Sequence, residues 1–368
     1  MFDYVTILDT TLRDGEEAPG FDLTTPQKVE MAQQLALLGV DAIEAGFPAV
    51  SHENFEAVQR IAREVRGPTI TGLARAVAAD IDQCWEAIKD ADRPRIHTFL
   101  PTADMHAKGL KREQAKARAV AMVAHARNYT PDVEFSPMDA TRSDWAYVAE
   151  VFESVIDVGA ATVNIPDTLG FAQPDELALM VTYLREHVAN IDRATISVHC
   201  HNDLGVAVAN SLAAISAGAR QVECCINGIG ERAGNAALEE LVMALTVRRD
   251  HHHVEHGIQL EQLVPTSSLL QQLTGVLVQP NKAVVGVNAF GNDTGTGIPQ
   301  DVLKGALRAR LEQLGLLLTQ DELNHAFTGF KQLSDYKSEL TDADLVQIAN
   351  NGRRAADGVF DAIGHVYR

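Results

Sequence analysis

His199 and His201 stand one residue apart in the run TISVHCHN. Residues i and i+2 of an extended strand face the same side, so this spacing can bring two imidazoles onto one metal ion while Cys200 faces the barrel wall. The same spacing also occurs in hydrogen-bonded cores, and a third ligand is needed to read it as a metal pair. Asp14, in LDTTLRDG, offers one. Two nitrogens and one carboxylate oxygen leave coordination positions open, which is the pattern of a catalytic rather than a structural site. Such a set suits Zn²⁺, Mn²⁺ or Co²⁺, or Mg²⁺ with water completing the shell. Arg13, next to Asp14, brings a guanidinium that can hold a carboxylate or stabilise charge growing on a carbonyl oxygen. A salt bridge to Glu44 is its structural alternative.

These residues need a frame. Eight short β-rich runs recur along the first two thirds of the chain, at 6–12, 42–48, 69–75, 95–101, 132–139, 162–168, 195–202 and 221–228. A helical pattern separates each from the next, as in PQKVEMAQQLALLG, where Thr25 can cap, Pro26 suits the first turn and Gly39 suits the exit. Eight strand–helix units in about 250 residues predict an α/β protein, a closed parallel (β/α)₈ TIM barrel. An open doubly wound sheet would carry a Gly-rich turn after its first strand, and LRDGEE is not one. Chemistry in such barrels sits at the C-terminal strand ends. Polar residues gather there: Arg13 and Asp14, Glu44, Arg75, His97, Ser136 and Asp139, Asn164 and Thr168, His199 and His201, then Asn227, Glu231, Arg232 and Asn235.

Past residue 250 the alternation stops. The expected division is a barrel over 1–250, a Gly- and Asn-rich linker or lid over 251–304, a small C-terminal helical subdomain over 305–349, and a tail over 350–368. TQDE (319–322) and TDAD (341–344) are capping boxes that should head two helices. The histidines at 251, 252, 253 and 256 read as a solvated surface. Fifty acidic against 31 basic residues give a net charge of -19, which disfavours nucleic acid and anionic membranes as partners. No apolar run approaches the ~20 residues of a bilayer span, and four cysteines form no disulfide framework. A cytoplasmic protein is expected.

The segments ILDTTLRDGEEAPG, GVDAIEAGFP, IHTFLPTADMH, VNIPDTLGF, ISVHCHNDLGVAVANSLAAISAGARQVECCINGIGERAGNAALEELVMAL and QPNKAVVGVNAF together resemble the DRE-TIM metallolyase superfamily. The likeness is to its acyl-CoA condensing branch of isopropylmalate, citramalate and homocitrate synthases, and most of all to the 2-isopropylmalate synthases of leucine biosynthesis. It implies a divalent metal cofactor, acetyl-CoA as co-substrate and a Claisen condensation with a small 2-oxo acid, 2-oxoisovalerate as first candidate. Carried over by position, the metal ligands are Asp14, His199 and His201, with Asn235 completing the site. Arg13 contacts the 2-oxo group, Thr168 binds the substrate carboxylate, and His97, Ser136, Asn164 and Pro166 line the side-chain pocket; apart from the resemblance, Glu44 is expected as a catalytic residue with Arg13. A homodimer, with the Gly-rich 291–297 crossing between chains, is also implied.

Three departures stand out. Met138 replaces a carboxylate of the family's fifth-strand motif. The linker motif reads NDTGTGIPQD at 292–301, without the family's two histidines. The leucine-responsive regulatory domain is not expected. A lyase or aldolase on the same metal site, or a binder of metal and 2-oxo acid that does not turn over, are the alternatives.

Overall fold

The computed structural model describes residues 2–102, 111–290, 299–334, 337 and 340–356. The chain divides into two compact units, one over Met1–Ile258 and Leu270–Val276, the other over Gln259–Leu269 and Leu277–Arg368. In the first, a two-residue strand β1 (Asp3–Tyr4) precedes eight parallel strands: β2 (Thr6–Asp9), β3 (Ala42–Gly46), β4 (Thr69–Arg75), β5 (Pro94–Pro101), β6 (Val133–Met138), β7 (Thr162–Asp167), β8 (Thr195–Cys200) and β9 (Gln221–Cys224). These eight close into a barrel in chain order, β9 pairing with β2 through Thr6↔Gln221 to Asp9↔Cys224. β1 pairs outside it with β10 (Val254–Glu255).

Every run read as a strand forms one. Several stop short of the expected end because polar residues there bend the chain: Asp9 accepts hydrogen bonds from the N–H of Thr11 at 3.0 Å and from its hydroxyl at 2.9 Å, ending β2 three residues early. Helix α1 (Thr25–Leu38) is capped by Thr24 rather than Thr25, Thr24 N donating to Gln27 Oε1 at 2.9 Å, and it ends at Gly39, whose φ of 85° a side chain would oppose. Helices α2 (His52–Glu64), α3 (Ala78–Ile88), α4 (Arg112–Ala126), α5 (Trp145–Asp157), α6 (Pro174–His187), α7 (Ala207–Ala217) and α8 (Leu238–Val247) cover the other strands. In α5 the buried positions Val148, Val151, Phe152 and Val155 recur at helical spacing, and Asp144 caps the helix by accepting from Ala146 N.

The barrel interior is polar rather than branched-aliphatic. Arg95 on β5 donates to Glu134 on β6 at 3.0 Å and to Gln221 on β9 at 2.7 Å, and Gln221 donates to Glu134 and to Ser197 on β8. Buried charges of this kind persist only when paired and hydrogen-bonded, as these are.

The C-terminal segment corrects the expected elements. The stretch read as a linker carries one turn α9 (Arg249–His252), the helix α10 (Leu263–Thr274) and the start of α11 (Gln300–Gln313). Among the described residues three helices follow residue 299, not two: α11, α12 (Gln320–Ser334) and α13 (Asp342–Ala356), the last running into the expected tail. Both predicted capping boxes form, Thr319 N donating to Glu322 at 2.6 Å and Thr341 N to Asp344 at 2.7 Å. Leu307, Leu311, Leu323, Phe327, Leu345 and Ile348 make the core of this bundle. Among the described residues no helix is long and apolar enough to cross a membrane.

Candidate active site

The C-terminal strand ends bring Asp14, His199, His201 and Asn235 together, all at most 5% exposed. β8 delivers His199 in register between Pro166 of β7 and Glu223 of β9. His201 lies just beyond and is bridged to Asn235 of the loop after β9. Asp14 comes from the turn after β2, its two oxygens facing one imidazole each: Oδ2 is 3.4 Å from His199 Nε2 and Oδ1 is 3.3 Å from His201 Nε2. Asn235 Nδ2 donates to Asp14 Oδ1 at 2.7 Å and to the Ile229 carbonyl at 3.0 Å.

That turn and loop are shaped by glycine. A Cβ on Gly230 would lie 2.1 Å from Asn235 Nδ2, and one on Gly234, at φ 88°, would lie 2.0 Å from the Gly228 carbonyl. The loop therefore closes against Asp14 only without side chains at these positions.

The donor set fits a divalent ion. Two ligand atoms about 2.1 Å from a shared centre at tetrahedral or octahedral angles are about 3.0–3.4 Å apart, matching the Asp14–histidine spacings. Asn235 Oδ1 is buried without a hydrogen-bond partner, although Asn235 Nδ2 is fully engaged; Nδ1 of His199 and of His201, the ring nitrogens that do not face Asp14, are buried without one too. Burial works against charge on Asp14, but the Arg13 guanidinium and both imidazoles outweigh it and hold its carboxyl well below the usual carboxylate range. Burial likewise opposes charge on His199, and the Glu223 carboxylate, 2.9 Å from its Nδ1, reverses this and raises its pKa.

A second chain of contacts runs from Arg13 across the strand ends. Arg13 Nη1 donates to Asp14 at 2.6 Å and Nε to Glu44 Oε2 at 2.5 Å, so the salt bridge and the position beside the donor set coexist. Glu44 Oε1 is 2.7 Å from His97 Nδ1, and His97 Nε2 is 2.7 Å from Ser136 Oγ, which accepts from Asn164 Nδ2 at 2.9 Å. Burial opposes both charges of the Glu44–His97 pair. The Arg13 charge and then His97 nonetheless hold Glu44 down at about 2, and the Glu44 charge and then Glu134 hold His97 up at about 9. Thr168 lies at the rim, its Oγ1 accepting from Asp139 N at 2.9 Å.

Glu231 Oε1 lies 3.6 Å from His201 Nε2, while other strand-end side chains pair elsewhere. Arg75 pairs with Asp80, Asp139 with Arg142, and the histidines at 251–256 form no group of three metal-ligating side chains among the described residues. Residues 291–298, with most of the linker motif and the expected crossing segment, lie outside the described residues, while Gln300 and Asp301 open α11. Glu223 escaped the sequence reading. An acid at an inward-facing alternate position of QVECC, opposite a histidine, was the signal.

Residues 4–270 match the family model described as HMGL-like, and the closed barrel with its polar mouth is that of this class of divalent-metal-dependent enzyme. The 2-isopropylmalate synthase of Pyrococcus furiosus is 52% identical over 94% of this chain and 75% of its own length; that of Syntrophus aciditrophicus is 52% identical over 94% and 72%. The Bacillus velezensis 2-isopropylmalate synthase is 47% identical over 94% and 72%. The chain belongs to the 2-isopropylmalate synthase family and is an acyl-CoA condensing acyltransferase. Among solved structures, the hydroxymethylglutaryl-CoA lyase of Pseudomonas aeruginosa superposes with a TM-score of 0.64 at 18% identity, over 75% of this chain and 95% of that one. The HMG-CoA lyase of Brucella melitensis gives 0.61 at 20%, over 74% and 100%, a likeness of fold.

Proposed function

We propose that this enzyme condenses acetyl-CoA with 2-oxoisovalerate and water to give 2-isopropylmalate and free CoA, the entry step of leucine biosynthesis. One observation supports the reading: in a chain of this family, ligand atoms of Asp14, His199 and His201 lie within 4.8 Å of one another beside Arg13, with Asn235 bonded to Asp14. These four residues would hold the metal, with Mn²⁺, Zn²⁺, Mg²⁺ and Co²⁺ all compatible with the donors. When bound, the ion supplies Lewis-acid polarisation of the 2-oxo carbonyl.

The protein's own groups would hold and orient the 2-oxo acid. Arg13, fixed by Glu44 and Asp14, directs a guanidinium at the oxygen where negative charge grows as the new carbon–carbon bond forms. Glu44 carries its part of the catalysis by holding that guanidinium in place. The Thr168 hydroxyl accepts from Asp139 N, which leaves its own proton to donate to the substrate carboxylate. His97, Ser136 and Asn164 are bonded to one another and to Glu44, and with the ring of Pro166 they would line the space for a small branched side chain.

The test is release of CoA thiol from acetyl-CoA with each metal, against 2-oxoisovalerate, pyruvate, 2-oxoglutarate and bulkier 2-oxo acids. Release that needs both metal and 2-oxoisovalerate is expected. Preference for another acid overturns the substrate, and no release with any acid overturns the synthase reading. A homodimer is proposed on the family resemblance, and sedimentation equilibrium tests it.

A further inference from the structure

Arg232 has a left-handed backbone, φ 53°, which costs a residue with a Cβ about 1 kcal/mol. Its side chain reaches back over the barrel mouth. Nε and Nη2 donate to the two carboxylate oxygens of Asp203 at 2.8 and 2.9 Å, Nη2 also donates to the Thr168 carbonyl at 2.8 Å, and Nη1 bonds Glu231. One planar group thus joins the loops after β7, β8 and β9. Each of those loops carries a residue of the site: Thr168, His201 and Asn235. None of the hydrogen bonds or ion pairs of Arg232 goes to Asp14, His199 or His201.

The loops meet closely where Arg232 spans them. A Cβ on Gly170 would lie 2.7 Å from Asp203 N and 2.9 Å from the His201 carbonyl, and Asn202 N donates to the Gly234 carbonyl at 2.8 Å. An isolated surface ion pair contributes little. A bidentate guanidinium that also ties down a backbone carbonyl is different, because its rigid fork fixes several acceptors in one plane.

We infer that Arg232 is a positioning residue: it locks three loops in one register, so that the Thr168 hydroxyl and the His201–Asn235 edge face the 2-oxo acid together. The inference rests on the reading of Thr168 as the carboxylate contact. A structural ion pair alone would affect stability without a particular effect on substrate affinity, whereas a clamp on Thr168 acts first on the 2-oxo acid.

The experiment compares wild type, R232A, R232K and D203N by steady-state kinetics with 2-oxoisovalerate and by amide hydrogen exchange at Gly170 and Asn202. R232A and D203N are expected to raise KM for the acid roughly tenfold, the equivalent of one hydrogen bond to a charged group, with kcat falling less than about threefold. Methylguanidinium should restore the KM of R232A. R232K should remain impaired, since one ammonium cannot span three acceptors in a plane. Protection at Gly170 and Asn202 should fall in R232A with or without substrate. Wild-type protection at both amides overturns the proposal whatever the substrate, as does a KM that moves only together with thermal stability and that methylguanidinium leaves unchanged. Thr168→Val separates the two ideas. An unchanged KM in that variant overturns the Thr168 reading, while loss of amide protection in R232A still supports the clamp.

Discussion

Oε2 of Glu223 lies 2.9 Å from Nδ1 of His199, the ring nitrogen that does not face Asp14. The pair is not aligned as a hydrogen bond, but a carboxylate there attracts a proton to Nδ1 and so favours Nε2 as the nitrogen turned to the donor set. Glu223→Gln keeps the shape and removes the charge. Metal affinity should fall by about 10–100-fold, read by calorimetric titration of Mn²⁺ into metal-free protein. Unchanged affinity would show that His199 needs no such partner.

Asp14→Asn and His201→Ala are expected to abolish metal-dependent CoA release while the protein stays folded. Both residues sit in loops at the mouth rather than among the strands of the barrel wall. Metal analysis of the purified variants and their melting curves check the two halves of this statement separately. Turnover surviving in either variant removes the proposed site.

Gly230 has an ordinary backbone conformation, so Gly230→Ala tests space alone. Its new methyl would lie 2.1 Å from Asn235 Nδ2 and 3.2 Å from Asp14 Oδ1. Asn235 must swing away, and the metal should bind more weakly with a melting temperature close to wild type. A variant that melts early but binds metal normally would mean that the glycine serves folding instead.

The Glu44–His97 pair makes a pH-dependent contribution to stability. Glu44 is depressed from 4.5 to about 2, so its share is complete above pH 4.5 and is lost as pH falls through 2. His97 is raised from 6.5 to about 9, so its share is complete below pH 6.5 and is lost as pH rises through 9. The stability difference between wild type and His97→Gln should therefore be largest between pH 4.5 and 6.5 and shrink toward pH 9. Melting temperatures across that range measure it, and a difference constant from pH 6 to 10 would sink the assignment.

Much of this was legible in the chain. Alternation of strand and helix patterns is a periodic signal, and it located all eight barrel strands together with the strand ends that carry His97, Ser136, Asn164, His199 and His201. Asp14 was found because an acid at a strand end is conspicuous. What escaped depends on contacts between distant segments. Helix α10 was hidden by Pro265, which a first turn tolerates but a linear reading takes for a break. The extension of α13 was hidden by Gly352, which reads as a terminator; there a Cβ would lie 2.6 Å from the Glu322 carbonyl, so the close approach of α12 and α13 requires glycine. The path from Arg13 through Glu44 and His97 to Ser136 joins four strand ends, and no local pattern announces it.

The polar interior of the barrel has a consequence for how this protein could acquire a new specificity. A core of branched hydrocarbons absorbs a single replacement by sliding neighbours into the gap, because dispersion contacts are interchangeable. Directional bonds are not: Arg95, Glu134, Gln221 and Ser197 bond one another below, and Glu44, His97, Ser136 and Asn164 bond one another above, so one substitution strands the partner it leaves behind. Altered substrate choice is therefore expected from coordinated double replacements among these residues rather than from single ones. Single exchanges within the wall are expected to lose the enzyme before they change it.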